Sequence, residues 1–211
     1  MDKKAELLKL KKDLESRKDI PLMNSATDVV FGDGNPDSEI MFIGEAAGYN
    51  ESVQHKPFVG QAGQLLIKTM KETLELNREQ VYITNVIKTR PPDNRDPLPD
   101  EIEAFAYYLD KEIEIVQPKI IVTLGRFSMA KFIPGVTISR VHGQSRFVDF
   151  ADRKYLVFPM YHPAAALRAG HVLTEFKNDF TKLYNLLNPV HVSPVGNSPP
   201  PAIVDPQLGL F

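Results

Sequence analysis

The chain has 211 residues, 43% of them hydrophobic and 25% charged, with a formal net charge of −2 and no cysteine. That length suits one domain with extra segments, and the apolar share is enough to close a core, so a wholly disordered or fibrous chain is excluded. Zero cysteines remove disulfides, thiolate zinc sites, cysteine nucleophiles and thiolate-held iron–sulfur clusters, and the near-neutral balance means that any attraction to nucleic acid must come from local basic clusters.

The amino-terminal stretch alternates charge with leucine, and no apolar run reaches the roughly 18 residues of a membrane span. A soluble, cytoplasmic protein without membrane contact is expected. Between Asp2 and Arg17, Leu7, Leu10 and Leu14 lie three and four apart, one stripe of an amphipathic docking helix. A Gly-, Asn- and Asp-rich loop follows. Four short apolar runs then recur, Glu39 to Gly44, Val81 to Val86, Lys119 to Gly125 and Lys154 to Met160, and read as buried strands. Helical patterns fall between them at Ala62 to Leu76, Asp100 to Val116 and Arg126 to Phe132. The second of these is expected to open on an Asp100/Glu103 capping pair. A last helix, Leu173 to Leu187, carries Phe176, Phe180, Leu183 and Leu187 on one face. Alternating strand and helix predicts a three-layer α/β/α sandwich around a mainly parallel, four-stranded sheet, filling residues 1–188. Residues 189–206 contain six prolines without helical or strand period, and read as a proline-rich flexible tail.

In an open α/β sheet, ligands bind beyond the carboxyl ends of the strands. The first run leads into GEAAGYNE and KPFVGQAGQLL, the second into KTRPPDNRDP, and the fourth into YHPAAALR. These strings bring two carboxylates, a carboxamide, an aromatic ring and an imidazole to one cleft, with Lys88, Arg90, Arg95 and Arg168 at its rim. That set suits an extruded base and its phosphates.

Taken together and in this order, GEAxG, PFVGxAGxLL, TNxxKxRPPxNRxP and HPAxxLR resemble the family 4 uracil-DNA glycosylases, from about Val29 to Arg168. The resemblance implies an α/β/α fold and hydrolysis of the N-glycosidic bond of deoxyuridine in DNA, the opening step of base-excision repair, in a monomeric, nucleoid-associated enzyme. By position, Phe58 would stack on the extruded uracil, Asn85 would bind its pyrimidine edge, and His162 would donate to the oxygen that gains charge. Glu45 and Glu51 are the acidic positions of the first motif; either would place the attacking water or, alternatively, meet a helix dipole, and Glu51 has the further alternative of crowding C5 of the base. Ala46 stands at the substrate where another branch of the superfamily carries a water-activating aspartate. Leu167 is either a wedge that fills the vacated stack or an ordinary buried leucine. Ala47 replaces the family's usual proline. Family members typically hold a four-iron cluster through four cysteines, and the corresponding positions here are Arg17, Ile20, Thr89 and Phe105, so a branch without cluster, metal or other cofactor is expected.

Residues 207–211, QLGLF, resemble the pentapeptide that binds bacterial sliding clamps. Gln207, Leu208, Leu210 and Phe211 are the candidate contacts. The alternative reading of the whole chain is a catalytically weak module that holds uracil-containing DNA or recruits the clamp. A nucleotide-binding Rossmann protein is disfavoured because Gly44 is followed by Glu45 rather than by GxGxxG spacing.

Overall fold

The computed structural model describes residues 2–23 and 29–188; the proline-rich segment and the QLGLF motif lie outside them. The apolar runs form strands buried on both faces, as a sheet covered by helices requires. These are β2 (Ile40–Gly44), β3 (Tyr82–Asn85), β4 (Ile120–Leu124) and β6 (Arg153–Met160). Two antiparallel edge strands, β1 (Asp33–Gly34) and β5 (Arg146–Phe150), extend the four expected strands to a six-stranded sheet ordered β1-β3-β2-β4-β6-β5. The inner four are parallel.

Helices α1 (Lys3–Ser16) and α4 (Pro99–Val116) cover one face, and α3 (Gln61–Leu74) and α8 (Gly170–Leu187) cover the other. Leu7, Leu10 and Leu14 are the buried stripe of α1, and Tyr108 of α4 bonds Asp13 across that contact at 2.8 Å. Phe176, Phe180 and Leu183 do the same for α8, with Leu187 partly buried beside them. The start of α4 corrects the expected capping pair. Glu101, not Glu103, reaches back to accept from the Leu98 N–H at 2.8 Å, because Pro99 takes the first helical position and shifts the cap two residues upstream. The short helices α2 (Tyr49–Gln54), α5 (Arg126–Phe132), α6 (Ile138–Val141) and α7 (Pro163–Arg168) lie beyond strand ends.

The strand order sets the site. From β2 the chain crosses through α3 to β3 on one side, whereas after β4 it continues to β6 on the other. The carboxyl ends of the neighbours β2 and β4 therefore flank the switch point where a crevice must open. Among the described residues, no helix is long and apolar enough to cross a membrane.

Candidate active site

A cleft of about 560 Å³ opens at this switch point, lined by Glu45, Ala46, Glu51, Phe58, His162 and Arg168 among others. The motifs that end β2 and β6 thus meet, as their positions in the sequence predict. Asn85, the last residue of β3, is 1% exposed. A Cβ built on Gly44 would lie 2.3 Å from the Asn85 Oδ1 and 2.5 Å from the Phe58 ring, so only glycine at the end of β2 lets these two side chains meet. Among the described residues, neither the Oδ1 nor the Nδ2 of Asn85 has a hydrogen-bond partner. A buried carboxamide left unbonded on both atoms costs about 1–3 kcal/mol per atom. Such an orphaned pair calls for a partner that the described residues do not supply.

Phe58 is held against this carboxamide from behind. Its backbone takes φ +54°, and the Gly63 position of α3 packs so closely on it that a Cβ there would lie 2.1 Å from the Phe58 carbonyl carbon. Arg78 donates to the carbonyls of Pro57 at 2.6 Å and Phe58 at 3.2 Å while pairing with Asp33. Glu51 completes the loop: its Oε1 accepts from the N–H groups of Val59 at 2.9 Å and Gly60 at 2.7 Å, at the start of α3. One Glu51 oxygen is therefore committed to the backbone, in keeping with the helix-terminus alternative, while the carboxylate as a whole still lines the cleft.

The Phe58 ring lies 5.8 Å from the His162 imidazole at an interplanar angle of 35°. His162 caps α7, and its Nδ1 accepts from the Ala164 N–H at 3.1 Å. The neutral ring must then carry its proton on Nε2, which makes that atom a donor. Burial, with help from the Arg168 charge and against that of Glu51, pulls the imidazole down to about 4, so it is neutral at physiological pH. Gly125 permits this placement: it takes φ +91°, and its Cβ would sit 3.0 Å from that of His162. Glu45, half-buried at the end of β2, is pushed up by desolvation and by the nearby Asp96 charge, against the pull of Arg126. Ala46 lines the cleft without any group that could activate water.

The expected basic rim divides. Lys88 is not part of it. Its side chain is fully buried and pairs with Glu112 of α4, while donating to Thr84 Oγ1 at 2.6 Å and to the Asn85 carbonyl at 2.7 Å. Glu112 also accepts from Tyr82 and Thr84. The reason is pairing: a lysine leaves water only where a carboxylate and further acceptors surround it, and burial still draws its ammonium below the usual range. Arg90 and Arg168 stay near the cleft, and Arg95 lines it but forms a two-bond pair with Glu101, at 2.5 Å and 2.8 Å. Leu167 is 50% exposed, which removes the buried-leucine alternative. Residues that the sequence reading missed are Arg78, Gly125, Tyr49, Asp96 and Arg126. The last two pair across the cleft mouth.

Of the four positions where the family resemblance places cluster ligands, Ile20 and Phe105 are buried in one apolar core and the Arg17 guanidinium is held by Asp19 and Tyr108. Thr89 is buried beneath Ala47, whose N–H it accepts at 3.2 Å through its carbonyl. An alkyl group, a phenyl ring, a guanidinium and a single hydroxyl do not fit an iron–sulfur cluster. Elsewhere His142, Glu175 and Asp179 bring ligand atoms within 4.8 Å of one another, but Asp179 already accepts from Lys182 at 3.0 Å and contacts His142 at 2.8 Å.

A crevice at the switch point of a parallel sheet, lined by an aromatic ring and a neutral imidazole and with an unbonded carboxamide buried next to that ring, has the shape and chemistry of a site for a planar heterocycle. Residues 31–188 match the family model described as the uracil DNA glycosylase superfamily. The chain is 46% identical over 185 residues to a type-4 uracil-DNA glycosylase of Sulfurisphaera tokodaii, covering 85% of this chain and 84% of that protein. It is also 46% identical over 162 residues to the type-4 enzyme of Saccharolobus solfataricus, covering 74% of this chain and 75% of the relative. With that of Archaeoglobus fulgidus it shares 44% over 171 residues, covering 78% and 85%. The chain belongs to the uracil DNA glycosylase superfamily and, within it, to the type-4 uracil-DNA glycosylases.

Proposed function

We propose that this chain hydrolyses the N-glycosidic bond of deoxyuridine in DNA through the residues gathered in the cleft, releasing uracil and leaving an abasic site. The observation that carries the assignment of roles is the unbonded Asn85 carboxamide beside Phe58 and His162. A carboxamide offers one acceptor and two donor hydrogens, matching the N3–H and a carbonyl of uracil. With its orientation fixed, it mismatches the amino edge of cytosine. Phe58 stacks on the extruded ring. As the C1′–N1 bond breaks, its electron pair passes into the base, and the His162 Nε2–H donates to the carbonyl oxygen where charge gathers. Water adds to the oxocarbenium-like C1′, and the proton it loses passes through solvent to neutralise the departing uracil anion. Ala46 cannot take that proton, so Glu45 or the uncommitted oxygen of Glu51 orients the water, and leaving-group stabilisation supplies more of the rate than base catalysis. Arg90, Arg95, Arg168 and Leu167 are the proposed contacts to the strand around the flipped nucleotide.

We further propose that this is a cluster-free member of the family, in which Ile20 and the α4 residue Phe105, buried in one core with the leucines of α1, replace the staple. The cysteine-free sequence supports the cluster-free reading. The purified chain should release free uracil from a uracil-containing oligonucleotide in the presence of chelator and without stoichiometric iron. No release from any uracil-containing strand would favour the alternative of a binding module, and iron bound in active protein would overturn the cluster-free reading.

The third proposal is that Gln207, Leu208, Leu210 and Phe211 bind a bacterial sliding clamp, with residues 189–206 as spacer. Eighteen residues at about 3.1 Å each span at most ~55 Å, enough for the catalytic domain to explore DNA while the pentapeptide is docked. Deleting 207–211 should abolish clamp binding and leave excision from a short free oligonucleotide within about twofold. Equal clamp affinity of the full and truncated chains would refute the tether.

A further inference from the structure

Tyr49 is the first residue of α2, directly after the GEAAG turn that ends β2. It is 62% exposed and, of the exposed large apolar side chains among the described residues, it is the one that lines the cleft. The Arg90 guanidinium lies over the ring with its carbon 5.2 Å from the centroid, and its Nε is fixed by the Asn94 Oδ1 at 2.8 Å. Arg90 is thus oriented by one nitrogen, leaving its two terminal nitrogens as donors. The ring is steadied by a cation on one side and remains largely open to solvent. On the far side of the cleft, Leu167 projects from α7, after β6, so the two exposed apolar groups follow strands separated by β4.

We infer that the Tyr49 ring, backed by Arg90, is a stacking shelf for the nucleobase next to the extruded uracil in the same strand, with Arg90 also meeting the adjoining phosphate. The inference rests on the uracil-DNA reading of the cleft. Extruding one nucleotide strips its neighbour of a stacking partner, and an exposed ring beside the entrance restores that contact in a way every base accepts. A guanidinium behind the ring supplies the phosphate contact and a cation–π interaction at the same point. An aromatic shelf without base-edge hydrogen bonds tolerates any neighbour, as a repair enzyme facing arbitrary sequence requires.

The test uses a single-stranded oligonucleotide carrying a tetrahydrofuran abasic analogue with 2-aminopurine on its 5′ or its 3′ side, and the same strand with deoxyuridine in place of the analogue. For one of the two placements, wild type should change the 2-aminopurine fluorescence and Tyr49→Ala should not. Tyr49→Ala should raise KM for the deoxyuridine strand about tenfold, with a smaller change in kcat, and Tyr49→Phe should restore KM because stacking needs the ring and not the hydroxyl. The gap between wild type and Tyr49→Ala should close when both neighbours of the uracil are abasic analogues. Active Tyr49→Ala with unchanged KM and an unchanged fluorescence response overturns the shelf alone. A wild-type protein that excises no uracil from these strands overturns the reading on which the shelf rests.

Discussion

Replacing His162 with alanine should lower the rate of uracil excision by roughly 10² to 10³, the scale of losing one donor aimed at developing negative charge. The loss should fall on kcat under single-turnover conditions and leave uracil-strand affinity nearly unchanged, because the charge that Nε2 meets appears only as the base departs. The acid limb of the wild-type pH profile should also be displaced. Since the imidazole is held at about 4 by burial and by Arg168, it stays neutral, with its donor on Nε2, across the range in which a free histidine titrates near 6.5. No decline in rate from this group is expected until the pH approaches 4. The same shift has a stability consequence of fixed sign. Between about 6.5 and 4 the unfolded chain binds a proton at this position and the folded chain does not, so folding stability falls as pH is lowered through that window. Wild-type excision by His162→Ala would remove His162 from the reaction. NMR titration of the ring near 6.5 would remove the neutral-donor argument.

The parallel core of this fold is legible in the sequence because its strands are buried on both faces and read as continuous apolar runs. The edges are not. β5 runs Arg146–Phe150 with alternate residues turned to solvent, and Phe147 on it is 72% exposed, so it carries no apolar run to notice. The motif residues Phe58, Asn85 and His162 fall together as the strand-end rule expects, since each follows the carboxyl end of a parallel strand or the loop beyond it. What escapes the sequence is pairing over distance. Lys88 reads as a rim cation because its partner Glu112 lies 24 residues away on a helix that covers the opposite side of β3. Arg78 looks like a solvated turn residue until the loop 20 positions upstream folds back to offer it the Pro57 and Phe58 carbonyls. Both side chains support the site from behind. Lys88 holds the Asn85 backbone and Arg78 holds that of Phe58, so the two residues proposed to meet the base are positioned by charges that lie behind them.

That division of labour sets the expectation for Asn85→Leu, which preserves branching at Cγ while removing both polar atoms. On the proposed assignment, Asn85 makes two hydrogen bonds to the imide edge of uracil; without them the buried base atoms go unbonded, at about 1–3 kcal/mol each. Excision of uracil should therefore fall by roughly 10² to 10⁴ in kcat/KM, and discrimination against cytosine should shrink with it. Stability should move the other way. Among the described residues no protein group bonds either carboxamide atom, so replacing it with an apolar group removes a burial cost instead of a protein contact, and the melting temperature should hold or rise. Asn85→Ala serves as the control for crowding against Gly44 and Phe58, since it removes the same atoms and adds no volume. A residue that merely satisfied the backbone at the end of β3 would behave oppositely, with both variants losing stability and keeping activity. Thermal unfolding and steady-state excision measured on the same two variants separate these outcomes: lower stability with intact excision would return Asn85 to a structural role and leave the cleft without its base-reading group.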